Sequence, residues 1–175
     1  MLWLGYELYI IETENKFNLV MKLSSLFLAI LISTNLSAEL KSKLDRQIEE
    51  IMPKVIEWRH DIHQYPELGN REFRTSKKIE EHLVSLGIEV ETKIAYTGLV
   101  GLIKGGKPGP TIALRADMDA LPVEEKTGLP FASKVRTTYL GNDVGVMHAC
   151  GHDAHVAILM GVAEFLAKNK SDIKG

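Results

Sequence analysis

Hydrophobic residues at helical spacing recur three times along the chain, and this pattern limits the fold more than any other feature of the sequence. The spacing predicts one or two surface helices between residues 40 and 62, a helix from about 74 to 86 and a last helix over about 153–168. Gly87 stands where the second of these should stop. Asp153 is placed to cap the start of the last one.

Between the second and the last helix the pattern changes to short apolar runs, which predict strands. These runs lie at 88–90, 99–103 and 111–114, and the Gly- and Pro-rich loop 105–110 predicts a hairpin between the last two. Helices, then strands, then a helix favour an α/β layered fold. Three strands make a small sheet for such a fold, so we expect the chain to carry part of a larger core.

The first 38 residues differ in character from the rest. Residues 21–38 start with Met and one cation, continue with a mostly apolar run and end on small residues, which is typical of a secretory signal peptide. Residues 1–20 contain three glutamates, whereas the leader of an export signal is basic. We therefore interpret them as an extension before the true start at Met21. A buried helix or a membrane anchor is the alternative, but the apolar run is shorter than the roughly 20 residues that span a bilayer.

The three predicted segments are therefore an extension at 1–20, a signal peptide at 21–38 and the folded part at 39–175. Export to the periplasm or the medium is expected if translation starts at Met21, and a cytoplasmic location otherwise. No stable membrane anchor is expected.

Charge and cysteine content exclude several classes of protein. The chain has 21 Lys and Arg against 23 Asp and Glu, a net charge of -2, whereas a nucleic-acid-binding protein normally carries a clustered basic surplus. The single cysteine excludes an internal disulfide and a structural zinc finger.

Two carboxylates, Asp117 and Asp119, follow directly on the predicted strand 111–114. Ligands of open α/β sheets bind outside the carboxyl ends of strands, so acidic side chains at this point are well placed to act on one. In an extended chain, residues two apart point to the same side. The alternative is that both are turn carboxylates that bond to their own backbone.

A second polar cluster, residues 147–155, precedes the last helix. Three histidines, one cysteine and one aspartate lie within eight positions, and thiolate and imidazole are ligands that zinc prefers. Gly151 between Cys150 and His152 would let both side chains reach one site from a loop. Two alternatives stay open, namely a buried free cysteine beside helix-capping polar groups, and a nucleophilic Cys150 with a histidine base.

Three segments, 58–68, 115–122 and 147–153, together resemble the metal-dependent amidohydrolases that include hippurate hydrolases, N-acyl-amino-acid amidohydrolases and plant auxin-conjugate hydrolases. The wider clan contains the aminoacylase and carboxypeptidase metalloenzymes. The resemblance covers about residues 45–175. It implies a three-layer, zinc-exopeptidase-like α/β catalytic domain of which only the N-terminal half is present.

The resemblance also implies roles for single residues. Cys150 and His152 match metal ligands of the family, and Asp119 matches the acidic residue that orients a ligand behind the metals. Asp117 stands where other branches of the clan carry a metal-binding histidine. The resemblance assigns no ligand role to His155. His60, His63, Glu67 and His148 match positions at which we expect supporting polar groups.

By the same resemblance, two divalent metal ions, zinc or manganese, would serve the hydrolysis of the amide bond of a small N-acyl amino acid. The complete protein would form a homodimer through a domain inserted downstream. The family takes its general base from a Glu-Glu pair after the helix that follows Cys150, and no such pair follows Cys150 here. We therefore expect these 175 residues to be inactive alone, with a truncated, partly metal-binding remnant as the alternative.

Overall fold

The structure is a computed structural model that describes Lys22, residues 38–39 and residues 41–175. It divides the chain into two compact units, 1–46 and 47–175. The predicted extension and signal peptide lie outside the described residues except at Lys22 and Ala38. Within the described part, no helix combines the length and the apolar character needed to cross a membrane. Residues 41–46 are helical, and the account below concerns the second unit.

Three α-helices organise the second unit: α1 at 47–64, α2 at Phe73–Ser85 and α3 at His152–Lys168. The predicted helices are confirmed to within a residue or two at α2 and α3. Helix α1 runs unbroken past Pro53. The chain leaves α2 at Gly87, whose φ of 70° lies in the left-handed region that favours glycine.

The main core lies between α1 and α3. Ile62 of α1 packs with Val156 and Met160 of α3, and all three side chains are at most 2% exposed. Four partly buried residues complete this cluster: Trp58, Ile79, Ala116 and Met118. A Cβ at Gly161 would lie 2.7 Å from the side chain of Val55, so the glycine permits the close approach of the two helices.

Four strands form two separate antiparallel hairpins. β1 (Glu89–Ile94) pairs with β2 (Gly98–Leu102), and β3 (Arg136–Tyr139) pairs with β4 (Asn142–Gly145). The second hairpin was not predicted. The mixed α/β class is confirmed, with two two-stranded sheets among the described residues.

The predicted hairpin between 99–103 and 111–114 is wrong. β2 pairs with β1 instead, and residues 111–114 are in no strand of the described chain. The physical reason is the loop 105–110, which contacts the end of the chain: the amide N–H of Gly105 donates to the carbonyl of Gly175 at 2.7 Å, and residues 107 and 174 form a parallel bridge. Those contacts replace the tight turn that Gly and Pro suggested.

A second, smaller core joins three distant segments. Leu68, Ala120 and Val146 form a buried cluster. Isolated β-bridges connect Leu68 to Ala120 and Leu121 to Met147. The segment after α1, the segment 115–122 and the segment before α3 therefore meet at one place, and these are the three segments that the sequence analysis singled out.

Candidate functional site

In the segment 116–120, apolar and acidic side chains alternate and point in different directions. Ala116 and Met118 pack on the α1–α3 core, and Ala120 belongs to the second cluster. Asp117 and Asp119, at the intervening positions, both reach the start of α3. Side chains of an extended chain alternate between its two sides, so core packing of one set directs the other set toward the site.

Asp119 holds the imidazole of His152. The Nδ1 atom of His152 lies 2.9 Å from the Asp119 carbonyl oxygen and 3.0 Å from Asp119 Oδ1. Both oxygens are acceptors, so Nδ1 carries the hydrogen and donates it. In the tautomer with hydrogen on Nδ1 alone, the Nε2 atom has the lone pair with which an imidazole binds a metal.

Asp117, His152 and His155 come together as a candidate metal site. One ligand atom from each residue lies within 4.8 Å of the others. The two imidazole rings are stacked with centroids 5.2 Å apart. His155 is a residue to which the sequence assigned no ligand role. It lies three positions after His152, and residues three apart in the first turn of a helix lie on the same face.

Arg115 keeps Asp117 ionised. Its guanidinium donates to Asp117 Oδ1 from Nε at 2.9 Å and from a terminal nitrogen at 2.7 Å, and this hydrogen bond and charge lower the pKa of the carboxyl. The Arg115 side chain is 88% exposed. An exposed pair of this kind is weak, so the arginine can move away when the carboxylate takes another partner.

Cys150 lies in the turn that leads into α3. Its side chain is exposed and its thiol is free. The group formed by Asp117, His152 and His155 does not include it. Between Cys150 and His152, Gly151 is the residue at the start of the helix, and its φ is 82°. The predicted pairing of Cys150 and His152 at one site stays a prediction.

Asp153 does not cap α3 as predicted. Gly151 occupies the capping position, and no side-chain hydrogen bond caps the helix. Asp153 lies inside the first turn, 1% exposed, and its carboxylate accepts from His63 Nδ1 at 2.8 Å and from Arg59 Nε at 3.2 Å. Burial alone raises the pKa of Asp153, but the bond from His63 and nearby charges lower it overall.

The far side of His63 meets a second carboxylate. Its Nε2 lies 3.1 Å from Glu125 Oε1. Glu125 also accepts hydrogen bonds from the hydroxyl of Thr127 and the amide of Ser133. Burial raises the pKa of Glu125, and these three donors bring it below its usual value.

His148 is buried without a hydrogen-bond partner. It is 4% exposed, and neither ring nitrogen has a partner among the described residues. Burial lowers its pKa to about 4, so the ring is neutral at physiological pH. Its ring centroid lies 6.4 Å from that of His63.

Two further residues of the first motif make supporting contacts. His60 stacks on Phe131 with ring centroids 3.8 Å apart. The carboxylate of Glu67 accepts from the amides of Arg74 and Thr75 at 2.9 and 2.8 Å, which satisfies orphan donors at the start of α2. Both arrangements fit the supporting roles expected of this motif.

The donor set fits a divalent metal ion. Two imidazoles and a carboxylate are nitrogen and oxygen ligands that zinc and manganese accept. The Asp119 carboxylate behind His152 is the partner that metal-binding histidines normally have on their second nitrogen. Three protein ligands also leave coordination positions open, as a catalytic site requires.

Comparisons with known proteins agree with this chemistry. Residues 113–175 match the sequence model of peptidase family M20/M25/M40. Thermostable carboxypeptidase 1 of Saccharolobus solfataricus is 53% identical over 138 residues, which cover 78% of this chain and 33% of that protein. N-acyl-L-amino acid amidohydrolase of Geobacillus stearothermophilus is 38% identical over 135 residues, which cover 77% of this chain and 34% of that protein.

A solved structure matches as well. The Bacillus subtilis YXEP protein, described as a dinuclear metal binding peptidase of the M20 family, superposes with a TM-score of 0.64 at 43% identity. The match covers 73% of this chain and 33% of that one. The chain thus spans about a third of the length of the relatives that it matches.

Proposed function

The chain belongs to peptidase family M20/M25/M40, and from this premise we propose that the protein of which it forms a part hydrolyses the amide bond of N-acyl amino acids. The observation that carries the proposal is the convergence of Asp117, His152 and His155 with Asp119 behind His152. The amidohydrolase relative supports the substrate class through its own name.

Asp117, His152 and His155 would hold one divalent ion, zinc or manganese, and Cys150 would contribute to a second. When bound, such ions act as Lewis acids toward water and toward the amide carbonyl. A carboxylic acid and a free amino acid would be the products.

The residues of the chain itself orient and charge this site. Asp119 accepts the Nδ1 hydrogen of His152, which fixes the tautomer and directs Nε2 outward. Arg115 holds Asp117 as the carboxylate, which is the form that binds a cation. The two aspartates therefore have different tasks, with Asp117 as a ligand and Asp119 as the orienting group.

Metal titration of the 175-residue chain tests the site. We expect one strong Zn²⁺ or Mn²⁺ site that His152→Ala removes and that Asp119→Asn weakens by about 10- to 100-fold. Ser171→Ala is the matched control, because Ser171 lies beyond α3 and is exposed. Equal binding by the parent chain and His152→Ala would refute the assignment.

An exposed thiol also permits a cysteine hydrolase that uses Cys150. Chelation and alkylation of the complete protein separate the two chemistries. A metal enzyme loses activity on chelation and recovers when metal is added, whereas a thiol enzyme survives chelation and is inactivated by alkylation. We expect the first result.

For the 175 residues alone we propose that hydrolysis is absent, because the family's general base would come from a later Glu-Glu pair. An assay of the chain against N-acetyl and N-benzoyl amino acids tests this. Turnover that depends on added metal would show that one of the carboxylates present here serves as the base.

We also propose export from Met21 and a homodimer of the complete protein. The intact mass of the protein isolated from its source tests both the start and the extent of the chain. A mature N-terminus at Glu39 supports export, and a retained residue 1 contradicts it.

A further inference from the structure

His63 of α1 lies between two carboxylates from different parts of the chain. Its Nδ1 is 2.8 Å from Asp153 Oδ2 in the first turn of α3, and its Nε2 is 3.1 Å from Glu125 Oε1 in the loop before β3. The His63 side chain is 6% exposed, and the side chains of Asp153 and Glu125 are 2% and 0% exposed. The proposed reaction uses none of these three groups.

Each ring nitrogen of His63 faces a carboxylate oxygen, and carboxylate oxygens accept hydrogen bonds. The ring therefore bridges the first turn of α3 and the loop before β3. The guanidinium of Arg59 donates to the same oxygen of Asp153, so this buried carboxylate has two partners.

This charged group is connected to the candidate metal site through the backbone. Asp153 directly follows His152 and precedes His155 by two positions. The first turn of α3 has no side-chain cap, so the bonds that Asp153 receives from α1 help to fix its direction.

We infer that His63 is a positioning residue for the candidate metal site: its imidazole ties Asp153 to Glu125 and thereby sets the direction in which His152 and His155 project. The inference rests on the proposed function, because it takes these two histidines to be metal ligands.

A packing role alone depends on the volume of the ring, whereas a positioning role depends on which nitrogen donates. His63→Asn keeps an N–H near the position of Nδ1 and so can still bond to Asp153. His63→Gln keeps an N–H near the position of Nε2 and so can still bond to Glu125. His63→Asn removes more volume than His63→Gln, so a packing role alone predicts the larger loss for His63→Asn, whereas the positioning role predicts it for His63→Gln.

The affinity of the 175-residue chain for Co²⁺, followed by the visible absorption of the bound ion, is the first measurement. We expect His63→Asn to stay within about 3-fold of the parent chain and His63→Gln to bind about 10- to 100-fold more weakly. His82→Asn is a further control, since His82 bonds to the carbonyl of Met160 in the middle of α3 and should leave the affinity unchanged.

Ring-nitrogen NMR spectra of the metal-free chain are the second measurement. We expect the Nδ1–H signal of His152 to persist in His63→Asn but to change in His63→Gln. Equal changes in the two variants overturn the inference.

The two measurements separate this inference from the proposed function. If the parent chain binds no Co²⁺ while the NMR signals behave as expected, the metal site is wrong and the positioning of His152 stands. If Co²⁺ binds and both His63 variants weaken it equally, the metal site stands and the positioning role fails.

Discussion

Helix α3 carries a buried carboxylate near each end, and the two are held in different ways. Asp153 is 1% exposed and Glu164 is 3% exposed. Asp153 is paired with His63, whose side chain is 6% exposed, and with Arg59, whose side chain is 43% exposed. Glu164 is paired with Lys54 and Lys168, whose side chains are 54% and 50% exposed.

The difference lies in what each partner can do when its carboxylate is removed. A half-exposed lysine regains water at once, so its ion pair contributes little and its loss is tolerated. A buried imidazole has no access to water, so the loss of its carboxylate partner leaves a ring nitrogen without a hydrogen bond. Charge matching therefore specifies the start of α3, beside the candidate site, more strictly than its end.

The largest loss in the free energy of unfolding should come from Asp153→Asn. The substitution keeps the volume but removes the charge that faces the buried His63, while the 43% exposed Arg59 can return to water, and breaking the buried pair costs about 4 kcal/mol. Urea unfolding followed by circular dichroism measures it. A loss below about 1 kcal/mol would mean that the start of α3 is no more strictly specified than its end.

Acid should weaken the same region through His148. Its pKa falls from 6.5 to about 4 on folding, so between these values the unfolded chain binds a proton that the folded chain does not. Stability is then complete above pH 6.5 and is lost as the pH falls toward 4, by about 3 kcal/mol in all.

Urea unfolding of the metal-free chain at a series of pH values, with a chelator present, measures this loss. His148→Asn is the control, because without the imidazole the loss between pH 6.5 and 4 should shrink by most of that amount. An unchanged slope in the variant would contradict the assignment to His148.

Glu164→Gln should cost less than Asp153→Asn, about 1 kcal/mol, because both lysines return to solvent while the amide can still accept a hydrogen bond. Burial raises the pKa of Glu164 and the two lysines lower it overall, so the contribution of the pair is present at neutral pH and fades as the pH falls through the folded value. The same urea experiment compares the two variants directly.

Lys54→Met should lower the free energy of unfolding least, by about 0.5 kcal/mol, since Lys168 still pairs with Glu164. Its effect should shrink further in 1 M salt, which screens exposed charges. A loss as large as that of Asp153→Asn would remove the contrast between the two ends.

Much of the fold could be predicted where local patterns decide it. The helical spacing gave α2 and α3 almost to the residue, and Gly87 marked the end of α2 because a left-handed φ favours glycine. Alternation along an extended chain predicted that Asp117 and Asp119 point to the same side, because this effect acts between neighbours in sequence. That both reach His152 was not predicted.

Features that depend on distant contacts could not be predicted. The loop 105–110 has the composition of a turn but contacts residues 170–175, and nothing local distinguishes the two uses. Asp153 is a residue type that is typical of helix caps, but it pairs with His63, 90 positions earlier. His155 differs, because its spacing of three from His152 is a local pattern that places both side chains on one helix face.

The backbone conformation of Gly151 also limits which amino acids can replace it. Its φ is 82°, yet a side chain there would meet nothing within 4 Å. The restriction at this position is thus one of backbone handedness and not of space. In a saturation library at position 151, we expect asparagine and aspartate to be the best-tolerated replacements and valine and isoleucine to be the worst. Side-chain size should matter little.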